Sequence, residues 1–228
     1  MRAILLAAGL GTRLRPLTEN IPKCLVPIKG VPLLEIWLEK LNKAGITDIL
    51  INTHYLAEQV NKYILGSKYI DYVELTYESK LIGTAGTLLE NIDYFRGEDG
   101  LVLHADNYCA EDLDLFIAAH KSRPKGCLIT MMTFKTSNTS SCGIVDLDEK
   151  NVVVGFYEKV KNPPGNTANG AIFIFTSEAL EIISKKYNNS TDISRDILSK
   201  FIGKIYTYET KKLFLDIGSI ENYRRANQ

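Results

Sequence analysis

The chain has 228 residues, which is enough for one full α/β domain and too few for two ordinary domains joined by a linker. Hydrophobic residues make up 45% of it and charged residues 24%, a globular composition that excludes a largely disordered chain. The 27 basic and 27 acidic side chains cancel, so no overall field attracts nucleic acid or a membrane, and any bound anion must be held by local charges.

The sequence contains neither a targeting segment nor a pattern of paired cysteines. Its early apolar run, 3–8, is shorter than a signal-peptide core and far shorter than a membrane span. The four cysteines lie far apart and include no C-x-x-C motif, so neither a zinc site nor a disulfide framework is indicated. We therefore expect a cytoplasmic protein with reduced thiols, and we expect neither nucleic acid nor a membrane as a partner.

Apolar runs and helical patterns alternate through the first half of the chain. The predicted strands are 2–7, 48–53, 72–77 and 101–105, and the predicted helices are 33–41, 57–65, 84–92 and 113–121. Strands that alternate with helices in this way are typical of a mostly parallel sheet with helices on both of its faces.

The second half is richer in strands that have only turns between them. The predicted strands are 127–134, 144–147, 152–158 and 171–175, and the predicted helices are 178–186, 193–201 and 220–226. We predict a single domain over 1–228, with a nucleotide-binding half at about 1–125 and a half at about 126–228 that adds antiparallel strands.

A basic glycine loop, AGLGTRLRPLT at 8–18, follows the first strand. Glycines such as Gly9 and Gly11 allow the backbone to turn sharply and to present its N–H groups to phosphate oxygens. A dinucleotide-binding loop would need a third glycine where Leu14 stands and an acid at the end of the second strand, and the chain contains no Walker sequence. What remains is a G-x-G-T-R loop with Arg13 directly after the glycines.

The charges around this loop favour a phosphate site. Residues 1–29 contain five arginines and lysines and the single acid Glu19, a local balance of 5 − 1 = +4 in a neutral chain. Arginine binds phosphate with a two-pronged fork, whereas lysine acts as a mobile point charge. Arg13 beside the glycines and Lys23 behind Pro22 are therefore predicted to bind phosphate.

The ordered run LAAGLGTRLRPLT at 6–18, followed by Pro22 and Lys23, resembles the opening signature of the sugar-1-phosphate nucleotidylyltransferases, in particular short forms similar to the mannose-1-phosphate guanylyltransferases. These enzymes join a nucleoside triphosphate (NTP) to a sugar 1-phosphate and release pyrophosphate. The resemblance implies a Rossmann-like α/β fold of the nucleotide-diphospho-sugar transferase type, with a mixed, mostly parallel sheet and an antiparallel sugar-binding lobe. The nucleotide-binding residues that it implies here are Ala8, Gly9, Gly11, Thr12, Arg13 and Lys23.

The segment ESKLIGTAG at 78–86 resembles the second signature of the family, the loop that receives the base. The resemblance implies that Glu78, Gly83 and Thr84 bind the nucleotide. A carboxylate at Glu78 offers only acceptors, and the edge of guanine presents two adjacent donors, whereas uracil and thymine present one donor between two acceptors. This chemistry favours GTP.

Two acids match the positions of the metal ligands in the family. Asp106 follows the apolar strand LVLHA, at the sheet edge where open α/β folds bind their ligands, although His104 and Ala105 replace the usual Asn-Gly. Asp216 begins the run DIGS, which resembles the W-x-D-I-G-T signature. The resemblance implies that both aspartates bind Mg²⁺ and that Asn107 contributes to the sugar-phosphate site.

The sugar side of the reaction is implied by two further matches. FYEK at 156–159 resembles F-x-E-K-P, so Glu158 is expected to accept from sugar hydroxyls and Lys159 to hold the sugar phosphate. ANGAIF at 168–173 resembles the N-A-G-I-Y strand, with Asn169 and Gly170 facing the sugar and with Gly-Ala where the family often has Ala-Gly. We assign the segment 192–198 a structural role. The implied catalytic residues are Arg13, Lys23, Asp106 and Lys159.

The expected substrates are an NTP, with GTP favoured, and a sugar 1-phosphate of the mannose or heptose type. The alternatives are a uridylyl-, thymidylyl- or cytidylyltransferase, or an enzyme acting on a non-sugar phosphate such as choline phosphate. A third alternative is an inactive, regulatory nucleotide-binding relative, but the chain keeps both acids and the phosphate-binding cations. We expect a monomer or homodimer without the β-helical acyltransferase domain of some relatives.

Overall fold

The computed structural model describes all residues from 1 to 228. The strands are β1 (Arg2–Leu6), β2 (Pro27–Ile28), β3 (Val31–Pro32), β4 (Ile49–Thr53), β5 (Val73–Tyr77), β6 (Gly100–His104), β7 (Asn107–Cys109), β8 (Ile129–Lys135), β9 (Gly143–Leu147), β10 (Val153–Glu158), β11 (Thr167–Phe175), β12 (Ile205–Glu209) and β13 (Phe214–Asp216). The α-helices are α1 (Leu33–Lys43), α2 (Ala57–Leu65), α3 (Gly83–Glu90), α4 (Leu113–Lys121), α5 (Ser177–Lys186) and α6 (Ile220–Ala226). All of the predicted strands and helices are present, and the helix predicted at 193–201 consists of a π-helix followed by a 3-10 helix.

The chain forms two compact units whose segments interleave along the sequence. Unit 1 consists of Met1–Leu81, Leu103–Leu113 and Lys212–Gln228, and unit 2 consists of Ile82–Val102 and Asp114–Lys211. The predicted division near residue 125, between a nucleotide-binding half and a half that adds antiparallel strands, concerns binding roles and stays a prediction.

Unit 1 contains the strands β1, β4 and β5, and β4 pairs in parallel with both β1 and β5. β4 is buried at every residue, as expected of a central strand with both faces covered. Helix α1 begins directly after Pro32 and buries an apolar stripe that includes Trp37, Leu38 and Leu41. The predicted α/β fold with a mostly parallel sheet is confirmed here.

Unit 2 contains the antiparallel part of the fold. β11 pairs antiparallel with β8 and β9, β9 pairs antiparallel with β10, and β12 adds to the edge of β8 in parallel. The predicted antiparallel strands of the second half are confirmed. The sequence reading missed β12, a short run in which buried Ile205 and Thr207 alternate with the less buried Tyr206 and Tyr208.

The predicted helix 193–201 is helical over these residues, but it is not a regular α-helix. The chain there forms a π-turn, Ile193–Ile197, followed by a 3-10 turn, Leu198–Phe201. The carboxylate of Asp196 accepts hydrogen bonds from the backbone N–H groups of Thr191 and Asp192, each at 2.9 Å, and this bonding back to the preceding turn replaces part of the regular helical pattern.

A helix needs about 20 apolar residues to cross a bilayer. None of the helices in this structure meets that requirement.

Candidate active site

The glycine loop is held in place by Thr18. Gly11 has a φ of +65°, a conformation that favours glycine, and a Cβ there would lie 3.0 Å from Thr18 Cγ2 and 3.3 Å from Lys23 Cβ. The buried Thr18 hydroxyl donates to the Gly11 carbonyl at 2.7 Å. Ala8 is buried, whereas Gly9 and Thr12 are more exposed, so backbone groups of this loop remain accessible to a ligand.

Lys23 is the central cation of unit 1. It follows Pro22, begins the 3-10 turn Lys23–Leu25, and has a side chain that is only 7% exposed. Its Nζ lies 2.6 Å from Asp106 Oδ2 and 3.5 Å from Asp216 Oδ1. A buried ammonium needs a counter-charge, and the two predicted metal ligands provide it.

A small two-stranded ribbon brings these aspartates together. β7 and β13 pair antiparallel with Asp216 opposite Asn107, and the Ile217 N–H donates to the Asp106 carbonyl at 3.2 Å. Asn222, in α6, donates from Nδ2 to the Asp216 carbonyl at 2.8 Å and fixes the end of β13. Residues that lie more than a hundred positions apart in sequence thus share one cation.

Arg13 joins the same cluster from the glycine loop. Its Nη2 lies 3.5 Å from Asp216 Oδ2, and 74% of its side chain is exposed, so the guanidinium is accessible to an anion. The approach of these two groups depends on Gly218, where a Cβ would lie 2.7 Å from Arg13 Nη2 and 2.9 Å from both Asp216 oxygens. Gly218 was missed as a site residue, although the DIGS run contains it.

The pKa of Asp106 lies below its usual range. Burial by itself would raise the pKa, but the nearby positive charge of Lys23, with smaller contributions from His104 and the Lys23 hydrogen bond, lowers it further than burial raises it. Asp106 is therefore a carboxylate at neutral pH, the form in which it can bind a cation.

The donor set of Asp106 and Asp216 fits Mg²⁺, because this ion prefers oxygen ligands and is commonly bound by one or two carboxylates together with substrate phosphates and waters. The structure contains no group of three or more His, Cys, Asp or Glu side chains that could hold a metal ion. The two aspartates would therefore hold the ion jointly with a phosphate ligand and could not act as a closed protein cage.

Glu78 lies at the carboxyl end of β5 in a buried network. Its Oε1 accepts from Asn52 Nδ2 at 2.7 Å, and Asn52 Oδ1 accepts from the Ala7 N–H at 2.7 Å. The carbonyl of Glu78 is also 2.7 Å from His54 Nδ1. Asn52 thus connects the strand end before the glycine loop with the acid that is predicted to bind the base.

In unit 2, Gly83 and Thr84 form the start of α3. Gly83 has a φ of +81°, and a Cβ there would lie 2.2 Å from the Thr191 carbonyl oxygen. The Thr84 hydroxyl oxygen accepts from the Ile193 N–H at 2.9 Å, and the Ala85 N–H donates to the Thr191 carbonyl at 3.1 Å. This predicted nucleotide loop therefore rests on the backbone of 191–193.

Glu158 is the last residue of β10 and Lys159 follows it, with the Lys159 Nζ 3.4 Å from Glu158 Oε1. Glu158 stands opposite Gly143 in the β9–β10 register, where a Cβ at Gly143 would lie 2.5 Å from Glu158 Oε2. Lys159 has a φ of +51°, and its N–H donates to the Cys142 carbonyl at 3.1 Å. The turn thus aims two adjacent side chains, an acceptor and a cation, from one strand end.

Asn169 and Gly170 lie where β11 departs from regular pairing with β8. Asn169 Oδ1 accepts from the Ala171 N–H at 2.8 Å, and Asn169 Nδ2 donates to Ser194 Oγ at 3.2 Å. Ala171 has a φ of +52°, so the left-handed residue of this bulge is an alanine at the position where the family often has glycine.

Asn107 is buried on β7, and its carbonyl accepts from Trp37 Nε1 at 2.8 Å. Its role in binding the sugar phosphate stays a prediction, as do the roles of the other site residues. In unit 1 the structure brings together Arg13, Lys23, Asp106 and Asp216.

The chain matches the nucleotidyl transferase family over residues 2–228. It therefore belongs to this family, and the resemblance inferred from the sequence is confirmed.

Similar proteins include enzymes with different nucleotide and sugar specificities. The UTP–glucose-1-phosphate uridylyltransferase of Synechocystis is 30% identical over 99% of this chain and 62% of its own length. The mannose-1-phosphate guanylyltransferase of Mycobacterium tuberculosis is 26% identical over 99% of this chain and 63% of its own length. The chain thus spans less than two thirds of the length of these relatives.

The fold is also found among solved structures. HddC from Yersinia pseudotuberculosis has a TM-score of 0.82 and 25% identity, with coverage of 99% of this chain and 97% of that one.

Proposed function

We propose that this protein transfers a nucleotidyl group from an NTP to a sugar 1-phosphate, yielding an NDP-sugar and pyrophosphate. The observation that carries the proposal is the cluster of Lys23, Arg13, Asp106 and Asp216 beside the glycine loop. Such a cluster combines cations for phosphate with oxygen ligands for a divalent ion. Membership of the nucleotidyl transferase family supports the same reaction class.

The reaction needs positioning and charge neutralisation more than proton transfer. A sugar phosphate has a second pKa near 6 and is largely a dianion at neutral pH, so no general base is required. One of its oxygens attacks the α-phosphorus of the NTP, the bond from that phosphorus to the bridging oxygen breaks, and pyrophosphate leaves with the electron pair. In the proposal, Arg13 and Lys23 neutralise the pyrophosphate, and the backbone of Gly9 and Gly11 lines the triphosphate.

Asp106 and Asp216 hold Mg²⁺ in this proposal. The bound ion supplies Lewis-acid stabilisation of charge at the phosphate. The lowered pKa of Asp106, which keeps it a carboxylate at neutral pH, and the antiparallel pairing of β7 with β13 support this assignment.

Apart from Asn107 of unit 1, the residues proposed to bind the sugar phosphate belong to unit 2. Glu158 accepts from sugar hydroxyls, Lys159 binds the phosphate of the nucleophile, and Asn169 and Gly170 contact the sugar ring. Their placement on a strand end and in a neighbouring β-bulge supports this division of roles, since polar groups there are held by backbone pairing. A polyol requires such paired hydroxyl partners, which argues against choline phosphate as the substrate. The four free cysteines support a cytoplasmic location.

The nucleotide that we favour is GTP. One oxygen of Glu78 already accepts from Asn52, so the amide fixes the orientation of the carboxylate that would accept from guanine N1–H and the 2-amino group. Uridylyl, thymidylyl and cytidylyl transfer are the alternatives. In a test, Glu78→Gln should lower the ratio of the kcat/KM value for GTP to that for UTP. The reason is that the amide group replaces one hydrogen-bond acceptor of the carboxylate by a donor.

The control for Glu78→Gln is Glu74→Gln, which changes an exposed acid of β5. This control should leave the ratio of the kcat/KM values for GTP and UTP unchanged. A wild-type protein that prefers UTP, CTP or dTTP would contradict the assignment of Glu78.

The reaction itself is tested with the four common NTPs against a panel of sugar 1-phosphates and choline phosphate, with pyrophosphate release as the readout. We expect turnover with a sugar 1-phosphate. We expect the turnover of the Asp106→Asn and Asp216→Asn variants to be lower by about 100-fold or more, by analogy with the loss of one electrostatic stabiliser. Asp112→Asn, an exposed acid of the same unit, is the matched control and should keep full activity. Near-normal turnover in a folded Asp106→Asn or Asp216→Asn variant would refute the metal assignment at that position.

A further inference from the structure

A single stretch of unit 2, 191–196, touches two sets of predicted substrate residues. On one side its backbone contacts the start of α3. The Ile193 N–H donates to the Thr84 hydroxyl oxygen, and the Thr191 carbonyl lies beside Gly83. On another side its Ser194 hydroxyl accepts from the Asn169 side-chain amide at 3.2 Å. This stretch carries none of the residues assigned to substrates above.

Asn169 is held at both ends of its side-chain amide. Ala171 N–H donates to Oδ1, and Nδ2 donates to Ser194 Oγ. The bond from the Ala171 N–H lies within the bulge, and the Asn169 amide can rotate only if this bond breaks. The bond to Ser194 joins residues 25 positions apart in the sequence and fixes the direction of the Asn169 N–H groups. With Oδ1 and Nδ2 both oriented, the amide can present its second N–H to a ligand in one direction only.

The segment itself is anchored by Asp196. Its Oδ2 accepts from the Thr191 and Asp192 N–H groups at 2.9 Å each, and Arg195 Nε donates to its Oδ1 at 2.8 Å. The Asp192 side chain accepts from the Arg195 N–H at 2.8 Å and closes the same turn. A π-turn with this many internal bonds is a rigid support, and single π-turns are frequent near functional sites.

We propose that Ser194 is a positioning residue that orients Asn169 and so sets the selectivity for the sugar, and that the 191–196 segment is the common support of the base loop and the sugar contact. This inference rests on the proposed function. It assigns to Ser194 no contact with the reacting atoms.

The test separates the two substrates. Ser194→Ala should raise KM for the sugar 1-phosphate about fivefold, the value of one neutral hydrogen bond, and should leave KM for the NTP within twofold. It should also reduce the ratio of kcat/KM values between the preferred sugar 1-phosphate and its C2 epimer, while Ser194→Thr, which keeps the hydroxyl, restores both quantities. The matched control is Ser199→Ala, which removes a nearby exposed hydroxyl bonded only to the Arg195 carbonyl.

Asp196→Asn tests the second part, because it loosens the whole segment and should raise KM for both substrates. The positioning role would be overturned if Ser194→Ala left the KM for the sugar 1-phosphate and the sugar selectivity unchanged, or if it raised the KM for the NTP equally. The common support would be overturned if Asp196→Asn left the KM for the NTP unchanged. If Ser194→Ala fails to fold, Ser194→Cys, whose sulfur is a weak acceptor, takes its place.

Failure of the proposed function gives a different result. In that case the wild-type protein turns over no NTP and sugar 1-phosphate pair, and direct calorimetric titration with sugar 1-phosphates decides the inference. Equal affinity of wild type and Ser194→Ala, or no binding by the wild type, would then overturn it.

Discussion

Gly83 and Gly97 have nearly the same backbone conformation but different surroundings. Both lie in unit 2 with positive φ, +81° and +77°, yet a Cβ at Gly83 would lie 2.2 Å from the Thr191 carbonyl oxygen, whereas nothing lies within 4 Å at Gly97. Gly83 is required by its backbone conformation and by the close approach of the Thr191 carbonyl, whereas Gly97 is required by its backbone conformation alone.

Gly97→Ala should therefore lower the free energy of unfolding by about 1 kcal/mol, the usual cost of a left-handed alanine. Gly83→Ala should lower it by about 3 kcal/mol, since forced displacement of packed backbone adds about 1–3 kcal/mol. Chemical denaturation of both variants measures the difference. Equal losses would show that the contact with Thr191 is relieved without cost.

Single residues also show how far the sequence could predict the candidate site. Arg13, Lys23, Asp106 and Asp216 stand in ordered motifs, and the structure places them in one cluster. Gly218 could have been inferred from its motif only with the knowledge that Arg13 lies beside it. Ser194 could not be found at all, because its significance depends on a contact with Asn169 that no local pattern records.

At the scale of the elements, long periodic segments were predicted well and short paired ones were not. α2, α4 and α6 have the predicted bounds, because their apolar periodicity is local information. β7 and β13 are three residues each and exist only as partners of one another, so neither has a pattern of its own. The segment 193–201 is helical as predicted, but its π and 3-10 geometry was not predictable, because the apolar periodicity does not record the hydrogen bonds that Asp196 accepts from the Thr191 and Asp192 N–H groups.

Asp99 joins three elements of unit 2. Its Oδ1 accepts from the N–H of Ser177, the first residue of α5, and its Oδ2 lies 3.2 Å from Nε2 of the buried His120 in α4. His120 Nδ1 is in turn 2.7 Å from Thr130 Oγ1 on β8. The hydrogen bond with His120, together with the one from Ser177, lowers the pKa of Asp99 below its ordinary value of 3.8.

A lowered pKa in the folded state means that ionised Asp99 stabilises the protein above the ordinary value and that this stabilisation is lost as the pH falls below it. Asp99→Asn should reduce the free energy of unfolding by about 1 kcal/mol at pH 7, after allowance for partial exposure to solvent. The difference from wild type should shrink below about pH 4, in denaturation curves recorded from pH 7 to 3. The control is Asp93→Asn, an exposed acid nearby, and a constant difference at all pH values would contradict the assignment.

At the scale of the whole molecule, the predicted phosphate-binding lysines belong to different units. Lys23 lies in unit 1 with the acid pair, and Lys159 lies in unit 2 beside Glu158. The fold class was predictable because the order of strands and helices is local, but the membership of each unit was not, since it depends on which distant strands pair.

Lys23→Ala should weaken binding of the NTP and of pyrophosphate, whereas Lys159→Ala should weaken binding of the sugar 1-phosphate. Each charge-assisted contact is worth about 1.5–3 kcal/mol, a factor of about 10 to 150. Direct titration of each ligand separately is the measurement, since KM is an indirect one. Lys161→Ala, an exposed neighbour of Lys159, should change neither affinity. If Lys159→Ala weakens NTP binding as much as Lys23→Ala does, both lysines serve one substrate.

The interleaving of the units has a consequence for synthesis on the ribosome. The last segment of unit 2 ends at Lys211, whereas unit 1 still lacks Lys212–Gln228, the segment that carries β13 and Asp216. Because chains emerge from the ribosome in order, β7 cannot pair with β13 until translation has passed residue 216. Until then Lys23 also lacks Asp216, its second counter-charge. A nascent chain that is released before residue 216 keeps its glycine loop and Asp106 but lacks Asp216, so an unfinished product does not contain the complete proposed catalytic cluster.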